Sequence, residues 1–246
     1  MCLSPGGNRD TGNQGRHRHQ SFHAFRLIPH SRPILETLTQ RGPETDIEME
    51  LTAAVIRRKA EAYREEQPLF PVEQERIEGL PRAFRTGSFG WRDAEWVLRW
   101  YYRRQLGDIP HQPRRAAESS FDENDYTAVQ SAIGAVHEVD TDRDRIDALA
   151  ALSGVSIPVA SGFLMFIDPA EYISFGAREW RALVRTGERA EDYPADPTVE
   201  DVVEYFTTCR AISSRTGCSL WSLYRALWQI GTATGAGTER GGPGER

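Results

Sequence analysis

The chain has 246 residues, a formal charge of −6 and 39% hydrophobic residues. That is enough for one ordinary domain, and three cysteines (Cys2, Cys209, Cys218) are too few for a disulfide framework and lack zinc or iron–sulfur spacing. No apolar run reaches the length of a membrane span and no signal-peptide pattern opens the chain, so the sequence predicts a cytoplasmic protein with no membrane partner.

Residues 1–48 hold four of the six histidines (His17, His19, His23, His30), with Gly, Ser, Arg and Pro and no sustained periodicity. They are expected to be disordered, or an extension ahead of a true start at Met49. The histidine spacing fits no ligand set, so no metal is expected. Six arginines face five acids in this stretch, against 24 basic and 31 acidic residues after it. The acidic balance therefore belongs to the expected helical domain, 49–230, and residues 231–246 form a glycine-rich tail. Of the 30 basic residues only Lys59 is lysine. A GC-rich genome accounts for this, or selection for phosphate and carboxylate contacts.

Between the tails the periodicities predict only helices, eight or nine of them, in an all-α domain. The first spans 51–66, ahead of Pro68, and a short one follows Pro71. The next spans 91–106, with Ala94, Val97, Leu98, Tyr101 and Leu106 on one face and Gly107 as its stop. Trp91, Trp96, Trp100, Tyr101 and Tyr102 share that helix with Arg92, Arg99, Arg103 and Arg104. One reading is a core face backed by solvated arginines. The other is a base-stacking surface with phosphate contacts, for which Trp100, Arg103 and Arg104 are the candidates off the apolar stripe. Another helix starts at Asp122, with Tyr126, Val129, Ile133 and Val136 inward. Thr141 caps a helix through Leu152, with Asp144 at its third position.

The sequence Leu-Ser-Gly-Val-Ser at 152–156 is too short for an ordinary loop between two helices. Gly154 permits a left-handed backbone, and Val155 fills the gap. Ile157–Ile167 is the most apolar helix, opened by Pro158 and stopped at Asp168-Pro169. Its small residues Ala160, Ser161 and Gly162 allow close approach of a neighbour. An extended piece over 172–175 leads to a helix over 177–184. Thr198 caps a helix to about Arg215, and Ser219 caps the last. Trp180, Trp221 and Trp228 are expected in the core.

The run from Leu149 through Ala160, Leu-Ala-Ala-Leu-Ser-Gly-Val-Ser-Ile-Pro-Val-Ala, followed by Ser161-Gly-Phe-Leu, resembles the helix-hairpin-helix of the base-excision DNA glycosylase superfamily, the endonuclease-III-like enzymes. Ser153 stands where the family pattern has proline and Ser156 where it has a second glycine. The resemblance covers about residues 150–184. It implies an all-α fold that binds double-stranded DNA, with Ser153, Gly154, Val155, Ser156 and Ile157 gripping the phosphate backbone by main-chain N–H groups. It also implies a catalytic lysine in the hairpin and a catalytic aspartate opening the helix after it. Read without gaps these fall on Pro158 and Gly176, neither of which can perform that chemistry. Asp168 and Glu179 are the possible substitutes, with helix termination and dipole compensation as their plainer roles. The chain is thus expected to be a divergent member with base release lost or altered and no cofactor. Two alternatives stay open: a helical protein-interaction module, which the acidic balance favours, and a glycosylase using a relocated carboxylate.

Overall fold

The computed structural model describes residues 49–105 and 109–232, all within one compact unit. The expectations for residues 1–48, for 233–246 and for Leu106 and Gly107 lie outside the described residues. Among the described residues there are ten helices and no strand, so the chain is all-α.

Thr52 Oγ1 accepts the Val55 amide and opens α1, Ala53–Glu66. Pro71 sits in the first turn of α2, Phe70–Thr86, which is far longer than a short helix because Pro81 is accommodated inside it. A left-handed Gly87 ends it, and the Asp93 carboxylate accepts the Gly90 amide to start α3, Trp91–Arg103. α4, His111–Phe121, was not foreshadowed by any apolar stripe, since Phe121 is its one buried residue. The helix expected from Asp122 instead begins at Tyr126: α5, Tyr126–Ala135, is capped by Asp125, whose Oδ1 accepts the Ala128 amide at 2.7 Å.

Thr141 caps α6, Asp142–Ala150, through the Asp144 amide, as the spacing predicts. α7 is Ile157–Ile167, the predicted span. α8 is Ala177–Arg185 and α10 is Leu220–Thr232, opened by Ser219 Oγ on the Ser222 amide. Thr198 and Asp201 form a reciprocal capping box on α9, Val199–Thr216.

α7 is the hydrophobic axis. Every residue from Val159 to Ile167 is buried, and α2, α3, α6 and α9 pack around it. Gly162 lets α3 lie close: a Cβ there would sit 3.1 Å from the Tyr101 ring and 3.4 Å from Trp100. A second group forms where α10 packs on α1 and α8. No described helix is long and apolar enough to cross a membrane.

Candidate functional site

The turn between α6 and α7 is built as its residues dictate. Gly154 is left-handed at φ 78°, a conformation that costs other L-residues energy. Val155 is buried, and its amide bonds the Leu152 carbonyl at 3.1 Å. Ser156 is the extended N-cap of α7 but its side chain makes no capping bond, and Pro158 in the first turn has no N–H. The first turn of α7 therefore keeps amide groups without intrahelical partners, at the positive end of the helix dipole.

The turn is not bare. Asn124 clamps Ser153 from both sides: its Nδ2 donates to the Ser153 carbonyl and its Oδ1 accepts the Ser153 amide, each at 3.0 Å. Gly154 lies directly on the end of α4, so that a Cβ would reach 2.7 Å from the Phe121 amide nitrogen and closer still to the Ala117 carbonyl. Of the five turn residues, Ser153 and Val155 spend their amides internally, which leaves Gly154, Ser156 and Ile157. Ser156 is exposed. Sequence reasoning missed Asn124 and the whole of α4. The Asn-Asp pair after Phe121 is a turn signal, but nothing in the sequence says what the turn holds.

Gly176, at the expected aspartate position, is buried and extended at φ −173°, a backbone any residue adopts. Its space is taken. A Cβ there would meet Glu179 Oε2 at 2.6 Å and an Arg104 guanidinium nitrogen at 2.8 Å. Arg104 and Glu179 form an ion pair with both side chains fully buried. Arg104 lies 5.0 Å from the Trp100 ring centroid, 4.6 Å from Tyr101, 5.6 Å from Tyr224 and 5.4 Å from Trp228. Burial works to lower the arginine's pKa, but Glu179 beside it holds it well above the ordinary value. Glu179 is thus neither a dipole-compensating surface charge nor a carboxylate open to a substrate. It belongs to the interior.

A second buried carboxylate lies nearby. Glu73 accepts from Tyr63 Oη at 2.7 Å and from Trp100 Nε1 at 2.6 Å. Burial raises its pKa despite these two bonds. Trp100 and Arg104, read as off the apolar stripe of α3, are therefore corrected to core residues, 3% and 1% exposed. The stripe is wider than the aliphatic residues alone suggest, because a buried carboxylate supplies the indole with an acceptor and another supplies the guanidinium with a counter-ion.

Gly176→Asp is expected to destabilise the protein rather than restore an active site. It places a second carboxylate on one guanidinium and forces Glu179 to move; adding Glu179→Ala should recover part of the loss, since Arg104 then keeps one partner. Denaturant midpoints of the single and double variants measure this, and a single variant as stable as wild type would show that the space is open.

Asp168 is the C-cap of α7, and its Oδ1 accepts the Ala170 amide at 3.2 Å, so it terminates the helix as expected. It also lines a cavity of about 400 Å³ with His137, Asp142, Arg145 and Arg210. Asp142 is bound by Arg210 at 2.6 Å and by Tyr172 at 2.9 Å. Burial works to raise its pKa, but those bonds hold it below the ordinary value. His137 is lowered, first by burial and then by Arg85, with Asp168 opposing. Asp168 and the Gly154 turn lie at opposite ends of α7, about 16 Å apart along the axis by helical rise. Among the described residues no three His, Cys, Asp or Glu side chains cluster as a metal would require.

No protein-family model matches the chain, and no curated protein matches it. Among solved structures the chain is similar to the 8-oxoguanine glycosylase/lyase of Methanocaldococcus jannaschii, in complex with DNA containing 8-oxoguanine. The identity is 13% and the TM-score 0.36, over 74% of this chain and 89% of that one. A likeness at that score carries no functional assignment, and the all-α class rests on the ten helices themselves.

Proposed function

We propose that the protein binds double-stranded DNA through the α6–α7 turn, as a divergent relative of the helix-hairpin-helix glycosylases without base release. The observation that carries this reading is the turn: left-handed Gly154, an exposed Ser156 with no capping bond, and an α7 first turn whose amides have no intrahelical acceptor. The loss of base release is supported by the filled position beside Gly176, where Arg104 and Glu179 occupy the space of an aspartate. Pro158 in α7 provides no amine for a Schiff base.

The test is fluorescence anisotropy of a labelled duplex titrated with the full chain at several salt concentrations. Ser156 is the residue to change, since it is exposed, whereas Gly154 packs on α4. Ser156→Glu is expected to weaken duplex binding at least tenfold at low salt, with thermal unfolding unchanged. Equal binding by wild type and Ser156→Glu removes the turn from the interface. No binding at any salt replaces this reading with the helical interaction module.

One observation favours a second reading. Asp168 is the one of the two substitute carboxylates that faces an open cavity. In a parallel base-release assay, release from a lesion-bearing duplex that vanishes in Asp168→Asn would make the protein a glycosylase with a relocated carboxylate.

A further inference from the structure

A separate cavity of about 360 Å³ opens between α2 and α3. That volume lies in the range of small-molecule sites. Its apolar floor is Trp96 with Leu69 and Val72. Val72 is 41% exposed, one of two large hydrophobic residues exposed to this degree among the described residues. Four arginines, Arg76, Arg92, Arg99 and Arg103, stand around this floor against one lining carboxylate, Glu95.

The four guanidinium groups share three carboxylates, which hold them in place but do not fully neutralise them. Arg76 is fixed by Asp93 at 2.6 Å and lies 5.3 Å from the Trp96 centroid, which lays a planar cation over an indole. Glu95 has a side chain only 9% exposed and is shared between Arg92 at 3.1 Å and Arg99 at 2.5 Å. One carboxylate cannot use the donors of two guanidiniums. Arg103 is half exposed and meets Glu118 only at 3.6 Å. Donors therefore remain over for an anion, in the planar forks that match phosphate oxygens in pairs. An apolar planar floor beside a phosphate-binding rim defines the chemistry of the ligand.

We infer that this α2–α3 cleft binds a nucleotide, with the planar base over the Arg76–Trp96 pair and against Val72 and Leu69, and the phosphate on Arg92, Arg99 and Arg103. The site shares no residue with the α6–α7 turn, so it stands or falls without the duplex-binding reading. An acidic peptide would satisfy the arginines but leave the flat apolar floor without a matching surface. The nucleotide has two sources, free in solution or within a single strand, and the chemistry at the cleft is common to both.

Isothermal calorimetry on the full chain separates these outcomes. Deoxyadenosine 5′-monophosphate is expected to bind saturably, and deoxyadenosine without phosphate or deoxyribose 5-phosphate without base at least tenfold more weakly. Arg92→Glu and Arg103→Glu, both at exposed side chains, should weaken the mononucleotide at least tenfold and leave thermal unfolding and the Ser156→Glu effect on duplex binding unchanged. A short single-stranded oligodeoxyadenylate that binds tighter than the mononucleotide, and loses that gain with salt, assigns the strand as source. Equal affinity of the two assigns the free nucleotide. No saturable binding of either, or equal binding of a polyglutamate peptide, overturns the inference.

Discussion

Glu179→Gln is expected to lower the unfolding free energy by about 3–5 kcal/mol, the cost of leaving a buried charge without its partner. For a domain of this size that corresponds to a fall in Tm of roughly 6–20 °C. The loss follows from Arg104, which has no route to water: its side chain is fully buried under the rings of Trp100, Tyr101, Tyr224 and Trp228. The rings favour a cation, but only Glu179 supplies opposite charge in direct contact. Removing the cation instead, in Arg104→Met, strands the carboxylate and should cost a similar amount. Replacing both with apolar residues should recover most of the loss, because desolvation of the two charges disappears together. Thermal and denaturant unfolding of the two single variants and the double one complete the cycle. A Glu179→Gln protein within about 0.5 kcal/mol of wild type would show that the pair contributes little.

Gly154→Ala should lose on the order of 3 kcal/mol. About 1–2 kcal/mol of that is the cost of an L-residue in the left-handed region. The remainder comes from α4, since the new methyl group overlaps the Ala117 carbonyl and approaches the Phe121 amide nitrogen to 2.7 Å. Those are backbone atoms, so the helix end must move rather than a side chain swing away. The shift should also break the Asn124 clamp on Ser153. Amide resonances over residues 117–124 are expected to move with the loss of stability. An unchanged spectrum there, with unchanged stability, would mean that α4 does not rest on the turn.

The fold was legible where caps and apolar runs coincide. Pro158 and the Asp168-Pro169 step bracket α7 to the residue, and Thr198 with Asp201 marks the start of α9. α4 was not legible, because it buries only Phe121 and its remaining face is arginine, alanine and serine. α2 was read as a short helix after Pro71, yet it continues through Pro81 to Thr86. The tight turn at Gly154 followed from its glycine and its length. What covers the turn did not, since the Asn124 bonds join residues far apart in the chain. The interior pair was hidden for a physical reason. A glutamate near a helix N-terminus has an adequate explanation in the dipole, so nothing local marks Glu179 as buried. The spacing of Trp100, Tyr101 and Arg104 did contain the signal, because residues three and four apart share a helix face and an arginine there can cover both rings.

The arginine–aromatic contacts give the nearly lysine-free composition a second meaning. Arg104, Arg178, Arg189, Arg210 and Arg225 each lie over one or more rings, the closest being Arg189 at 4.1 Å from Trp180. A guanidinium stacks flat and keeps in-plane donors for a second partner, which an ammonium cannot reproduce. A drift of codon usage toward lysine would pass freely through exposed Arg57 and Arg58. It would be arrested at those five positions. Whatever set the composition, these five arginines make ring contacts that a lysine would not reproduce.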